Sequence, residues 1–136
     1  MAKTLKLQIV TPEASAYSAD VDIVTLPTIV GQIGILPGHV RLVTELIPGE
    51  IIVRRDGKTD YLAVGGGLVE VTGEHVSILT DLAVAAESID EAKAEEARQR
   101  AAARLREKIS AEEVASVNAS LARSLAQLKV KRRRHA

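Results

Sequence analysis

Few residues in this chain have the types and spacing that chemistry needs. There is no cysteine, so neither a disulfide framework nor a thiolate site is available. His39, His75 and His135 are scattered, and no ligand cluster accompanies any of them. No metal site and no nucleophile–base pair are therefore expected. Gly65-Gly66-Gly67 looks superficially like a phosphate cradle, but no Lys-Ser or Lys-Thr follows it and it opens no helix. It reads as a strand break or a close backbone approach. The stretch Gly31-Gln32-Ile33-Gly34-Ile35-Leu36-Pro37-Gly38-His39 fixes an unusual backbone path, because glycine and proline recur in it at short intervals. Charge gathers at the far end in Lys129, Lys131, Arg132, Arg133 and Arg134, with Arg123 upstream. Such a run is either a solvated basic end or a contact for an acidic protein surface. Formal net charge is zero and the aromatics are Tyr17 and Tyr61 alone, so a nucleic-acid interface lacks both its field and its stacking platforms.

The elements that must position these residues fall into two regimes. Every glycine and proline lies at or before Gly73. From about Glu87 onward the chain is dense in Ala, Glu, Arg, Lys and Leu, the strongest helix formers. Leu5, Leu7 and Ile9 alternate with Lys6, Gln8 and Val10, the period of a half-buried strand. Further strands are expected over residues 21–26, stopping at Pro27, and over 40–46, 51–54, 58–64, 68–71 and 76–79. Asp56-Gly57 suits the positive φ angles of a tight hairpin turn, and Gly73-Glu74 marks a second hairpin. Short strands at close spacing with turns between them predict an antiparallel sandwich or barrel.

The remainder predicts two helices. Ser88-Ile89-Asp90-Glu91 and Ser110-Ala111-Glu112-Glu113 are capping boxes, placing helices at about 89–108 and 111–131. The expected faces are Ala94, Ala97, Ala101, Leu105 and Ile109 on one helix, and Val114, Val117, Leu121, Leu125 and Leu128 on the other. Both helices open acidic and close basic, Lys108 included, which suits their macrodipoles and sets acidic beginnings beside basic ends in an antiparallel hairpin. The seam is mostly alanine, so at roughly 25 cal/mol per Å² it is worth only a few kcal/mol, and the hairpin should be able to open. The fold class expected is α+β: residues 1–86 an antiparallel β-sandwich, residues 87–136 an antiparallel two-helix hairpin. No apolar run is long enough to span a bilayer, and the N-terminus lacks the pattern of a signal or transit peptide, so a cytoplasmic protein is expected.

Taken together these features resemble the epsilon subunit of bacterial rotary ATP synthases. The motifs are Gly31-x-Ile-Gly-Ile-Leu-Pro-Gly-His39, Leu46-x-Pro48-Gly49, the run from Tyr61 to Glu70, Ile78-Leu-Thr-Asp81, and Ile89-Asp90-Glu-Ala-Lys93-Ala94. They span essentially the whole chain in order. The resemblance implies a ten-stranded β-sandwich with a C-terminal helical hairpin and no catalytic residue. It implies partners: the gamma subunit, the ring of c subunits, and the catalytic alpha/beta hexamer reached through the helices. It implies a peripheral place on the cytoplasmic face of the bacterial inner membrane, reached only through the complex. Residue by residue, Gly31, Gln32 and Ile33 match the loop near the c ring, and His39 and Thr44 the gamma-facing positions; the whole Gly31–His39 loop, Gly38 included, is expected to contact gamma. His39 is equally readable as a histidine packed on its own loop. Arg123, Lys129, Lys131, Arg132, Arg133 and Arg134 would suit an acidic surface on the catalytic subunits, a contact that salt should weaken. No cofactor is required, but Ile89, Asp90, Lys93 and Ala94 match a regulatory ATP motif. In that motif arginine stands where this chain has Lys93, and a point charge cannot reproduce a planar bidentate guanidinium, so weak or absent ATP binding is expected. The plainer reading is that Asp90 is a first-turn helix acid and Lys93 a solvated partner. A different class of reading is a free-standing sandwich adaptor whose helices dimerise; the alanine-rich seam lacks the heptads that would need.

Overall fold

The computed structural model describes residues 3–107 and 109–135. Ten strands come first: β1 (Leu5–Val10), β2 (Ser15–Val21), β3 (Ile23–Thr28), β4 (Gly31–Ile35), β5 (Leu42–Leu46), β6 (Gly49–Arg55), β7 (Lys58–Val64), β8 (Gly67–Thr72), β9 (His75–Thr80) and β10 (Ala83–Ala85). A single 3-10 turn, Ala86–Ser88, leads to α1 (Glu91–Leu105) and α2 (Ala111–His135). The strand order is β10-β7-β6-β3-β5-β8-β9-β1-β2, with β4 paired to β3. One pair, Thr28 with Leu46, is the register between β3 and β5. It joins a half built on β6 and β7 to a half built on β8 and β9, and the two halves fold face to face as a sandwich. Alternation does the sorting: Leu5, Leu7 and Ile9 of β1 and Val76 and Ile78 of β9 point into one buried core with Val24, Leu26, Ile51, Val53, Leu62 and Val64. The pairing is antiparallel as expected except that β1 runs parallel to β9.

Several boundaries move, each for a local reason. Val21 belongs to the end of β2, a strand the sequence hides behind small and polar residues. Pro27 does not stop β3. The last β6 partner of β3 is Thr25, and beyond it Pro27 pairs with Gln32 of β4. There its missing N–H costs nothing, while its carbonyl accepts from the Ile47 amide at 3.1 Å. Half of the stretch 31–39 is the strand β4, so the expected special loop is confined to its ends. Gly31 (φ 115°) and Gly38 (φ 86°) are its two left-handed positions. The expected strand 40–46 starts late, at Leu42, because the chain is still turning through His39, whose amide bonds Leu36 O at 3.1 Å. The Asp56-Gly57 hairpin has both residues at positive φ, as expected.

α1 begins at Glu91, two residues after the predicted start, and Asp90 rather than Ser88 caps it: its Oδ1 accepts from the Lys93 amide at 3.1 Å. Ile89 is extended and buried, so the helix cannot start before it. α1 ends at Leu105, short of the predicted Lys108, which itself lies outside the described residues, and α2 runs to His135, past the predicted 131. Ser110 caps α2 as predicted, accepting from the Glu113 amide at 3.2 Å. The helices are antiparallel, with Arg104 reaching Glu113 across the link and Arg132 reaching Glu91 and Glu95 at the other end. The apolar face of α2 differs from the expected one. Leu128 is buried, but Leu125 is half exposed, and Ser124, Ala126 and Val130 are buried in its place. The cause is that α2 has two neighbours: it packs on β6 and β7 as well as on α1. Ala126 and Val130 join Ala63, Ala86 and Ile89 in a second, small apolar cluster, flanked by Tyr61 and Val84.

Candidate partner-binding faces and a docked helical latch

Triglycine 65–67 is a seat rather than a cradle. A Cβ on Gly67 would lie 1.8 Å from Leu79 O, and one on Gly65 would lie 1.8 Å from Asp81 Oδ1. The chain passes this close because the segment 80–82 pairs with it: Gly65 N donates to Leu82 O at 3.0 Å and Thr80 Oγ1 to Gly66 O at 2.9 Å. Asp81, held above Gly65, meets Arg123 of α2 at 3.0 Å.

The loop residues assigned to partners fall in two places, Gly31–Ile33 at the start of β4 and Gly38–His39 beyond its far end, with Thr44 on β5. Gly31 and Gln32 are exposed at the start of β4, while Ile33 packs against the core. With Ile47, Gly49 and Lys129 of α2 they border a cleft of about 280 Å³. Gly38 is tied to the β8–β9 turn, its amide donating to Gly73 O at 2.8 Å. His39 is half-buried, and its Nδ1 donates to Val40 O at 2.7 Å. Thr44 shares the inward-leaning face of β5 with Leu42 and Leu46, while Val43 and Glu45 face out.

An apolar outer face was not foreseen. Val43, Leu68 and Leu79 stand on the solvent side of β5, β8 and β9, with Leu68 paired to Leu79 and Leu36 and Val40 exposed nearby. Beside them Val10, Pro12, Gly66, Gly67 and Leu79 line an almost wholly apolar groove of about 420 Å³. The signal was present: in strands that alternate, these apolar residues stand at outward positions, among Glu45, Glu70 and Ser77, where a fully solvated sheet carries polar residues throughout.

Arg123, Lys131, Arg132 and Arg133 of α2 are engaged within the molecule. Arg133 Nε lies 3.0 Å from Glu50 Oε2, and its guanidinium stands 5.5 Å above the Tyr61 ring. Glu50 sits opposite Ala63 on the outer face of β6 and β7, its side chain only 3% exposed. Lys131 Nζ donates to Ala86 O at 3.5 Å, and Arg132 bridges Glu91 and Glu95 at 3.0 and 3.2 Å. Lys129 is exposed, and the side chain of Arg134 lies outside what is described.

The Glu95 carboxyl is held below its ordinary 4.5, first by its hydrogen bond from Arg98 and in smaller part by Arg132. A depressed carboxyl pKa stabilises the fold above the ordinary value and loses that contribution as pH falls through the lowered one. The helical circular dichroism and melting temperature of the hairpin are therefore expected to begin falling below about pH 4.5. The Glu95→Gln protein should be weaker at neutral pH and converge on the parent in acid; a gap that persists at the acid end would refute this.

Of the four residues of the regulatory ATP motif, Ile89 and Ala94 are buried and Asp90 and Lys93 exposed. The Asp90 carboxylate is committed to the helix cap. A separate cleft of about 350 Å³ between the helices, lined by Arg100, Arg104, Ser116 and Ser120, includes none of the four.

Among the described residues no three His, Asp or Glu side chains gather as metal ligands, and no helix is long and apolar enough to cross a membrane. The described residues thus form a sandwich with apolar side chains on one outer face and a helical hairpin held to the other by ion pairs. Residues 4–86 match the model of the ATP synthase delta/epsilon chain β-sandwich domain, and residues 87–132 that of its long α-helix domain. The ATP synthase epsilon chain of Bacillus subtilis is 48% identical over 103 residues, covering 76% of this chain and 78% of that one. That of Acidithiobacillus ferridurans is 40% identical over 133 residues, 98% of this chain and 94% of that one. Among solved structures, a chain of the Euglena gracilis mitochondrial ATP synthase, determined as its OSCP/F1/c-ring assembly, superposes with a TM-score of 0.79 at 27% identity, over 93% of this chain and 79% of that one. The chain belongs to the ATP synthase delta/epsilon family, as a non-catalytic epsilon-type subunit of the central stalk of an F-type enzyme.

Proposed function

We propose that the sandwich joins the gamma subunit to the c ring of a proton-translocating ATP synthase at the cytoplasmic face of the inner membrane. Its helices restrain ATP hydrolysis by leaving the sandwich and entering the alpha/beta hexamer. One observation carries the reading. The main sandwich core contains no residue of either helix, and the helices hold a separate small cluster of alanines, Ile89 and Val130. The hairpin can therefore detach without opening the core. The apolar face of Val43, Leu68 and Leu79 suits a hydrophobic partner held permanently, and the exposed Gly31–Gln32 end suits a polar one.

Co-purification tests the assembly half. Leu68→Lys puts a charge in the middle of the outer face without touching the core, and retention by gamma is expected to fall at least tenfold if that face is desolvated on binding. Undiminished retention would remove this face from the interface. ATP hydrolysis by the complex with and without the helices tests the regulatory half.

Regulation by ATP itself is weak on this reading, because Asp90 already serves the cap and Lys93 offers a point charge. Titration calorimetry of the parent protein should show millimolar binding or none, with Lys93→Arg tightening it severalfold through bidentate phosphate contact. Tight binding by the parent would overturn this.

A further inference from the structure

We infer that Arg123 and Arg133 form a competitive latch: the sandwich carboxylates Asp81 and Glu50 claim them when the helices are docked, and the acidic surface met by the extended helices claims the same guanidinium groups. This rests on the reading that the helices leave the sandwich to restrain hydrolysis.

Glu50 is the centre of the argument. A carboxylate only 3% exposed is withdrawn from water and requires a cation, and the one it has is Arg133, at 3.0 Å. Tyr61 holds that guanidinium from a second side. Asp81 is placed rather than buried: its side chain is half exposed, and its Oδ1 fills the space that the absent side chain of Gly65 leaves. These two pairs join α2 to the sandwich. The pairs of Arg132 with Glu91 and Glu95 join α2 to α1 and move with the hairpin, so they do not oppose its departure. When α2 lifts, Glu50 returns to water, Asp81, already half exposed, loses its partner at little cost, and two arginines are released together.

An arginine cannot serve both surfaces at once, so the two sides of each pair differ in sign. Removing a carboxylate loosens docking and leaves the arginine available, which should deepen inhibition. Removing the arginine loosens docking equally but deprives the extended state of its contact, which should relieve inhibition. Salt weakens both contacts and cannot separate them.

The test uses the full chain, alone and in the F1 complex. The sequence contains no cysteine, so Thr59→Cys beside the β6–β7 turn and Ala115→Cys, both at exposed positions away from the outer face of β5, β8 and β9, give unique sites for spin labels. Pulsed electron paramagnetic resonance then reads the docked and undocked populations. Glu50→Gln and, independently, Asp81→Asn should each raise the ratio of undocked to docked protein roughly three- to tenfold and lower ATP hydrolysis. Arg133→Gln should raise the undocked population similarly and raise hydrolysis. The exchange Glu50→Arg with Arg133→Glu should restore docking. Distance distributions unchanged in all the single variants would overturn the latch, as would Glu50→Gln and Arg133→Gln moving hydrolysis in the same direction. Altered distances with hydrolysis indifferent to removal of both helices would instead sink the inhibitory reading, and the competition with it, leaving an internal clasp. Unchanged distances with hydrolysis that rises on helix removal would sink the latch alone.

Discussion

A chain ended after Glu87 is expected to fold, to join the stalk, and to raise ATP hydrolysis by the reconstituted complex about two- to tenfold. The range follows from population arithmetic: helices that occupy the blocking position between half and nine-tenths of the time reduce the rate by about that factor. The shortened chain keeps all ten strands, the whole of the main core, and the turn 86–88 up to its second residue. What it uncovers is the outer face of β6 and β7, chiefly Tyr61 and Ala63 with the Glu50 carboxylate between them, a small and partly polar area. Thermal melting should therefore remain cooperative. Failure of the shortened subunit to assemble would make the helices architectural. Assembly with hydrolysis unchanged at low salt would leave them without a regulatory role.

The largest single-residue effect is expected at Gly67. A methyl group there would lie 1.8 Å from Leu79 O and within 2.9 Å of Thr80 Cα, both main-chain atoms of the paired strand β9. Backbone in a ladder cannot yield as a flexible side chain does, so Gly67→Ala should cost at least about 3 kcal/mol and lower the melting temperature by roughly 10 °C. Gly73→Ala is the control: nothing lies within 4 Å of the new methyl group, and its φ is not in the left-handed region, so melting should shift by less than about 2 °C. Equal melting temperatures for the two variants would contradict the close approach at Gly67. A loss at Gly65 of similar size, but accompanied by weaker helix docking, would separate the seat of Asp81 from the ladder itself.

Much of this molecule is legible in its residues. Alternation in β1, the Asp56-Gly57 and Gly73-Glu74 turns, and the Ser110 cap all state their structure locally, because each depends on neighbours two to four positions away. What the residues conceal is set at long range. β2 reads Ser-Ala-Tyr-Ser-Ala-Asp-Val, too small and polar to announce a strand, and exists because β1 offers it an edge. The start of α1 shifts because Ile89 is needed in a cluster with Ala63 and Val130. The outward-facing Val43, Leu68 and Leu79 look like core until the register shows which side they take. The basic end of α2 is plain in the sequence, but the partner of Arg133 lies 83 positions earlier, and no local pattern connects them.

The parallel pairing of β1 with β9 has a consequence for how the chain is made. β1 precedes the other nine strands, yet its inner edge waits for residues 75–79, so the sandwich closes only when nearly all of its strands have been synthesised. β10 then completes the edge beside β7, and both helices follow it in the chain. At translation rates of roughly 5–20 residues per second, residues 87–136 take a few seconds to add. Until α2 has emerged, the sandwich can close only with the Glu50 side of its sheet open to water. Docking of the helices is thus made onto a surface that folds without them.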